Sequence, residues 1–211
     1  MARQATAIEL APGRVRLLTA TPGGGGLAVS RYVAEPLPPE GATPELLADL
    51  FRRHGVVGER VASALPAGRV AARDLEFPFK EAGKIRDALP FAMEPLLPYP
   101  VEEAVLDHYP LPGADPWPVR AFAAEQSVVE AHLHLLEQAG VVPTVVADPV
   151  TALINGLEDH GALEGEGVVA VAQVAPGQFP FAGGAAGGER HRRVLRRPLA
   201  GPEGGGEGGE A

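Results

Sequence analysis

Ala5-Thr6-Ala7-Ile8-Glu9-Leu10-Ala11-Pro12-Gly13-Arg14-Val15-Arg16-Leu17-Leu18-Thr19-Ala20 opens the chain with two apolar stretches on either side of Pro12-Gly13. Proline followed by glycine between such stretches is a tight-turn signal, so residues 5–20 read as a β-hairpin. Thr21-Pro22 and Gly23 to Gly26 mark a second turn, and Leu27 to Val33 supplies a third strand. Three consecutive strands with short connections make a β-meander.

A helix follows. Thr43 offers an N-cap hydroxyl, Pro44 fits the first turn, and Glu45 places a carboxylate near the positive helix end. Leu46, Leu47, Leu50 and Phe51 recur at helical spacing, Arg52, Arg53 and His54 occupy the last turn, and Gly55 suits the position after the cap. Arg60 to Leu65 and Arg69 to Phe77 read as strands broken at Pro66-Ala67-Gly68. A helical stretch runs from about Lys80 to Leu97, with Pro90 expected to kink or divide it. Val101 to Leu111 and Val119 to Ala124 are strands joined by the proline-rich 112–118, and Glu125 to Ala139 is a helix ended by Gly140. Val141 to Ala147, a helix capped by Asp148-Pro149, and Gly167 to Val174 complete a strand-helix-strand ending. The fold class is therefore α/β with a mixed sheet.

Composition narrows the function. The chain has 211 residues and a formal charge of −9, against the basic stripe of a nucleic-acid binder. It has no cysteine, which excludes disulfides, thiolate chemistry and cysteine-ligated zinc. No apolar run approaches the roughly 18 residues of a membrane helix, and Met1-Ala2-Arg3 opens no hydrophobic signal segment, so a cytoplasmic start is expected. The 27 glycines and 22 prolines, beside only Lys80 and Lys84 as lysines, match GC-rich coding and are not read wholesale as disorder.

Arg73-Asp74-Leu75-Glu76-Phe77-Pro78-Phe79, with Ile85, Leu89-Pro90-Phe91, Glu94, Leu97-Pro98 and Val105-Leu106-Asp107-His108-Tyr109, is a more specific signal. With Leu135-Leu136, Ala139-Gly140-Val141 and Val146 to Asn155, this stretch resembles the cytoplasmic actin-like domain of type II secretion protein L and its relative, type IV pilus assembly protein M. The resemblance covers residues 5–175. It implies the first domain of a two-domain actin-like (ribonuclease H-like) fold, over residues 1–165, with an inserted small α/β subdomain at about 78–143. Residues 166–176 would begin a second domain whose remainder is missing. It also implies a cytoplasmic scaffold at the inner membrane face that docks a motor ATPase and neighbouring assembly proteins. The competing expectation is an actin-like kinase or ATPase.

Actin-like nucleotide sites wrap phosphates with two β-hairpins, each with an acid in the strand and a glycine at the turn. In the first hairpin here Glu9 stands where aspartate is expected, Ala11 where glycine is expected, Pro12 lacks an amide donor, and Gly13 follows. In the second, Gln173 replaces the acid, Ala175 the glycine, and Pro176 again lacks an amide. Glu9, Gly13 and Gln173 are thus the candidate nucleotide positions, and their pattern argues against ATP or magnesium as cofactor and against catalysis. Glu94, acidic in the resembling families, and Trp117 are the candidate partner contacts; Trp117 reads equally as a loop residue covering the core.

Other motifs carry less. Gly23 to Gly26 lacks the Lys-Ser/Thr of a P-loop and reads as a loop. His132 and His134, two apart on a helix, point to different faces and cannot share a metal; both read as solvated. Glu102, Glu103 and Asp107 read as an exposed acidic edge, and Phe77 and Phe79 as core. From Gln178 apolar periodicity ceases, residues 190–197 hold five arginines, and 201–211 are almost all glycine and glutamate. Residues 177–211 are expected to be disordered, and to be a frameshift product or mispredicted end that leaves strand 168–174 without a hairpin partner; the alternative is a natural flexible tail.

Overall fold

The computed structural model describes residues 4–23, 26–56, 60–113, 115–161, 168–172, 179–185 and 190–195. The opening meander forms as read: β1 (Ala5–Ala11), β2 (Arg14–Gly23) and β3 (Gly26–Pro36) pair antiparallel. Gly13 turns the first hairpin at φ +72°, a backbone region open to glycine at little cost. β4 (Val61–Ala64) lies parallel to β1, and β8 (Val145–Ala147) parallel to β4, giving the order β3-β2-β1-β4-β8.

One face of this sheet is covered by α1 (Pro44–Arg53) and α3 (Gln126–Gln138). Ile8, Val15, Leu17 and Val61 from the strands meet Leu47, Leu50, Phe51 and Leu136 from the helices in the main core. Both helices end by the same device. Gly55 (φ +58°) follows α1, with Val56 N–H bonding Phe51 C=O at 2.8 Å; Gly140 (φ +85°) follows α3, with Val141 N–H bonding Leu136 C=O at 2.9 Å. In each pair the two side chains also pack together in the core, the hydrophobic contact that accompanies a Schellman ending. Val141 is therefore spent on closing a helix, and the strand expected over 141–147 shrinks to its last three residues.

Between β4 and α3 the chain builds a second sheet, ordered β5-β7-β6 from β5 (Val70–Phe77), β6 (Ala104–Pro110) and β7 (Trp117–Glu125). Helix α2 (Ala82–Met93) packs on one face of it, Ile85, Leu89 and Met93 meeting Val119, Ala121 and Ala123. Phe77 is buried in that core with Phe79 against it, ring centroids 5.6 Å apart. Pro90 sits inside α2 without dividing it: the helix runs on to Met93. Packing draws this inserted unit at about 70–125, where the sequence reading drew 78–143. β5 belongs to the second sheet through β7, and α3 belongs to the main core through Leu136 and Ala139.

After α4 (Pro149–Asp159), β9 (Val168–Ala172) pairs antiparallel with β10 (Phe179–Ala185), which pairs with β11 (Arg190–Leu195). The sequence reading expected no partner for the strand at 168–174 and no regular structure after 177. Ladder bonding is a property of the backbone, so a segment without apolar alternation still adds to a free strand edge. Residues 173–178 and 196–211 lie outside the described residues.

His132 corrects another expectation. His134 is exposed, but His132 is buried, its Nε2 2.7 Å from Ser63 Oγ, so the bond ties α3 to β4. Burial pushes its pKa down, favouring the neutral ring in the folded state. The unfolded chain then takes up the proton first, so this contribution to stability is present above about pH 6.5 and is lost as pH falls below it. Urea denaturation should show wild-type stability declining between about pH 7.5 and about pH 5, and His132→Gln should remove most of that slope. An unchanged slope would mean that His132 does not titrate differently on unfolding.

Candidate functional site

Alternation along β7 gives the inserted sheet two faces. Val119, Ala121 and Ala123 face α2; Arg120, Phe122 and Ala124 face the other way. Cross-strand register adds their neighbours: Ala124 lies between Val70 and Val105, Phe122 between Ala72 and Asp107, and Arg120 between Asp74 and Tyr109. Where this face meets the carboxyl ends of β4 and β8 and the first turns of α4, it leaves a groove of about 360 Å³. The carboxyl ends of parallel strands are where α/β sheets present their crevices.

The groove is mostly apolar, with Val70, Val105, Phe122, Val129 and Val146 among its walls. The rings of Tyr109 and Phe122 meet at a tilt of 37°, with centroids 5.5 Å apart. Polar groups enter at two places. Asp107 stands exposed on β6. At the start of α4, Asp148 Oδ2 accepts from Thr151 N–H at 2.8 Å, capping the helix. Thr151 also presents a buried Oγ1 that has no hydrogen-bond partner among the described residues. A buried hydroxyl left unpaired costs about 1–3 kcal/mol. β6 is also the last strand of its sheet, with no strand paired to its outer edge among the described residues. An apolar groove beside a free strand edge is suited to an extended peptide.

The wall is held by an ion pair. Arg120, 2% exposed, donates from Nε and Nη2 to the two carboxylate oxygens of Asp74 at 2.7 and 2.8 Å. The hydrogen bonds to Asp74, with Tyr109 contributing, raise the guanidinium pKa against the effect of burial.

The residues singled out from sequence lie elsewhere. Glu9, on β1, is tied to Arg16 by a salt bridge, and Gly13 forms the hairpin turn. This hairpin leaves the sheet at the same carboxyl end of the parallel strands as the groove, since Glu9 pairs with Ala64. Gln173 lies outside the described residues. Glu94 is exposed just after α2. Trp117 is half-buried at the start of β7, with Lys80 Nζ 5.4 Å from its ring centroid. Both belong to the α2 side of the inserted sheet, so neither joins the groove. Sequence reasoning missed the groove because its walls come from β5, β6, β7, β8, α3 and α4 and from Leu65 after β4. Its one local signal is the alternation Val105, Asp107, Tyr109.

No protein-family profile matches the chain, and no curated protein sequence matches it significantly. Solved structures do. A chain of the PilM–PilN type IV pilus biogenesis complex matches with a TM-score of 0.80 at 24% identity, over 94% of this chain and 63% of that one. The cytoplasmic domain of EpsL, an inner membrane component of the type II secretion system of Vibrio cholerae, matches at 0.60 and 13%, over 92% and 71%. A Bacteroides thetaiotaomicron protein of unknown function with an actin-like ATPase fold matches at 0.59 and 12%, over 93% and 71%. The chain thus has the actin-like fold and spans 63% of the length of the pilus-complex chain.

Arg120 is buried while the Asp74 side chain is 43% exposed, so removing Asp74 leaves a buried guanidinium without its carboxylate, which costs more than removing both. Asp74→Ala should lower stability by about 1–3 kcal/mol in urea denaturation, and Arg120→Met in that background should recover a good part of it. Equal loss from the single and double variants would mean that the pair does not hold the wall.

Proposed function

We propose that the chain is a non-catalytic component of a type IV pilus or type II secretion assembly platform, working in the cytoplasm at the inner membrane face. It takes up an extended segment of a partner assembly protein in the groove between the inserted sheet and α4. The observation that carries this reading is the groove itself, with its apolar walls and the β6 edge beside it. The likeness to a chain from the PilM–PilN complex supports a partner of the PilN kind, and the likeness to the EpsL domain supports the platform setting. Docking of a motor ATPase belongs to the same proposal.

The degraded hairpin supports the non-catalytic part. Ala11 and Pro12 stand where a glycine and an amide donor would meet phosphate, and the Glu9 carboxylate is engaged by Arg16. A nucleotide-bound cation would have to break that pair to recruit Glu9.

Titration calorimetry tests both parts. The purified chain should bind a PilN-like protein from the same genome, and Ala152→Trp, an exposed groove position, should weaken that binding at least about tenfold, or 1.4 kcal/mol. Undiminished binding by the tryptophan variant would remove the groove from the proposal. Tight binding of Mg-ATP would overturn the non-catalytic reading.

A further inference from the structure

The β3 edge of the main sheet has a different chemistry. β3 ends the main sheet, and among the described residues no strand pairs with its outer side. Its ladder with β2 is irregular at one point: Thr19 pairs with Arg31 and Ala20 with Val29, so Ser30 is skipped. Beyond that bulge the strand runs regularly through Arg31-Tyr32-Val33-Ala34-Glu35 until Pro36, which has no amide donor. This regular window is centred on Val33 and carries opposite charges at its two ends.

Both charges lie on the α1 side of the sheet. Glu35 accepts bidentately from Arg53 at 2.8 and 2.9 Å and pairs with His54 at 2.6 Å. These bonds hold its pKa down at about 2. Arg31 lies beside Gly55, where a Cβ would stand 3.7 Å from its Nη1. On the opposite side Arg16 stands across from Ala34, and beyond it β3 presents exposed apolar side chains. Tyr32 (59% exposed) sits across from Leu18, Val29 (55%) across from Ala20, and Leu27 (63%) across from Pro22. Long exposed apolar edges without lysine or internal proline invite strand pairing.

We propose that two copies of the chain associate through β3, antiparallel about a twofold axis at Val33, with each Arg31 facing the partner's Glu35. Tyr32 of each copy then lies opposite the partner's Ala34, and the two sheets become one. The charges select this register. Centring on Arg31 or on Glu35 sets like charges directly opposite, which is destabilising. Centring on Tyr32 or Ala34 leaves both unmatched. The contact is small, so the dimer is weak and concentration-dependent. It is independent of partner docking in the groove, because β3 and β6 lie in different sheets.

Sedimentation velocity on the full chain, from about 5 to about 500 µM, tests this at low and high salt. The wild type should show a monomer–dimer equilibrium that weakens with salt. R31E, at an exposed position, should weaken it at least tenfold. E35K should also fail to self-associate, and an equimolar mixture of R31E and E35K should form a dimer, since both cross-strand pairs then regain opposite signs. R31E alone decides the matter should E35K prove unfolded by circular dichroism. A wild type that stays monomeric overturns the proposal, as does self-association that R31E leaves unchanged; the latter would place the contact elsewhere, such as on the β9–β11 sheet.

Discussion

The molecule is organised around a pair of parallel neighbours, β4 and β8, that lie far apart in sequence. Parallel strands need a crossover, and here the crossover contains an entire second sheet. Closing so long a connection costs conformational entropy, and the cost grows only slowly with its length. What must be supplied is a firm junction at each end. Thr144 gives both its N–H and its Oγ1 to Val61 C=O, at 2.7 and 3.1 Å, and Leu65 N–H bonds Ala147 C=O at 3.2 Å. The Ser63–His132 bond fixes the returning helix against β4 from inside. The groove follows from this junction: the inserted sheet departs from the carboxyl end of β4, and α3 carries the chain back to the amino end of β8.

The sequence was legible wherever a local signal coincided with a tertiary demand. Thr43, Pro44 and Gly55 bound α1 because capping acts over a single turn, and Thr43 Oγ1 does accept from Leu46 N–H. The meander was legible because Pro12-Gly13 has few other uses. The inserted unit was harder. Its limits depend on which core Leu136 and Phe77 enter, and both residues carry the same apolar periodicity whichever core receives them. His132 was misread for a related reason: a histidine two positions from another says nothing of the serine waiting on β4. The strands after residue 177 lack alternation altogether, and only the free edge of β9 reveals them.

Site residues followed the same rule. Glu9 and Gly13 were found because a hairpin is local, and the structure shows Glu9 already satisfied by Arg16. Hydrogen bonding to Glu9 is also the leading cause of the raised Arg16 pKa. The groove could not be found that way. Arg120 looks in sequence like a surface arginine in a strand, yet it is among the most buried side chains of the molecule because Asp74 and Tyr109 flank it in the ladder. A buried arginine is tolerable only with its charge met and its donors occupied. That requirement fixes β5, β7 and β6 in one register, and the register in turn sets Phe122 beside Asp107 in the groove wall.

The edges of β6 and β3 show how one backbone device takes different partners. At β6 the edge opens beside an open, mostly apolar groove, so side chains on an incoming strand would find a wall on alternate positions. What β3 offers instead is a symmetric charge pattern between a bulge and a proline. Pockets discriminate by shape and favour a particular foreign sequence; a pattern that is complementary to its own reverse favours a copy of itself. The bulge at Ser30 and the missing donor at Pro36 limit pairing at β3 to five residues, which holds it to a reversible contact and keeps the edge from templating an extended assembly.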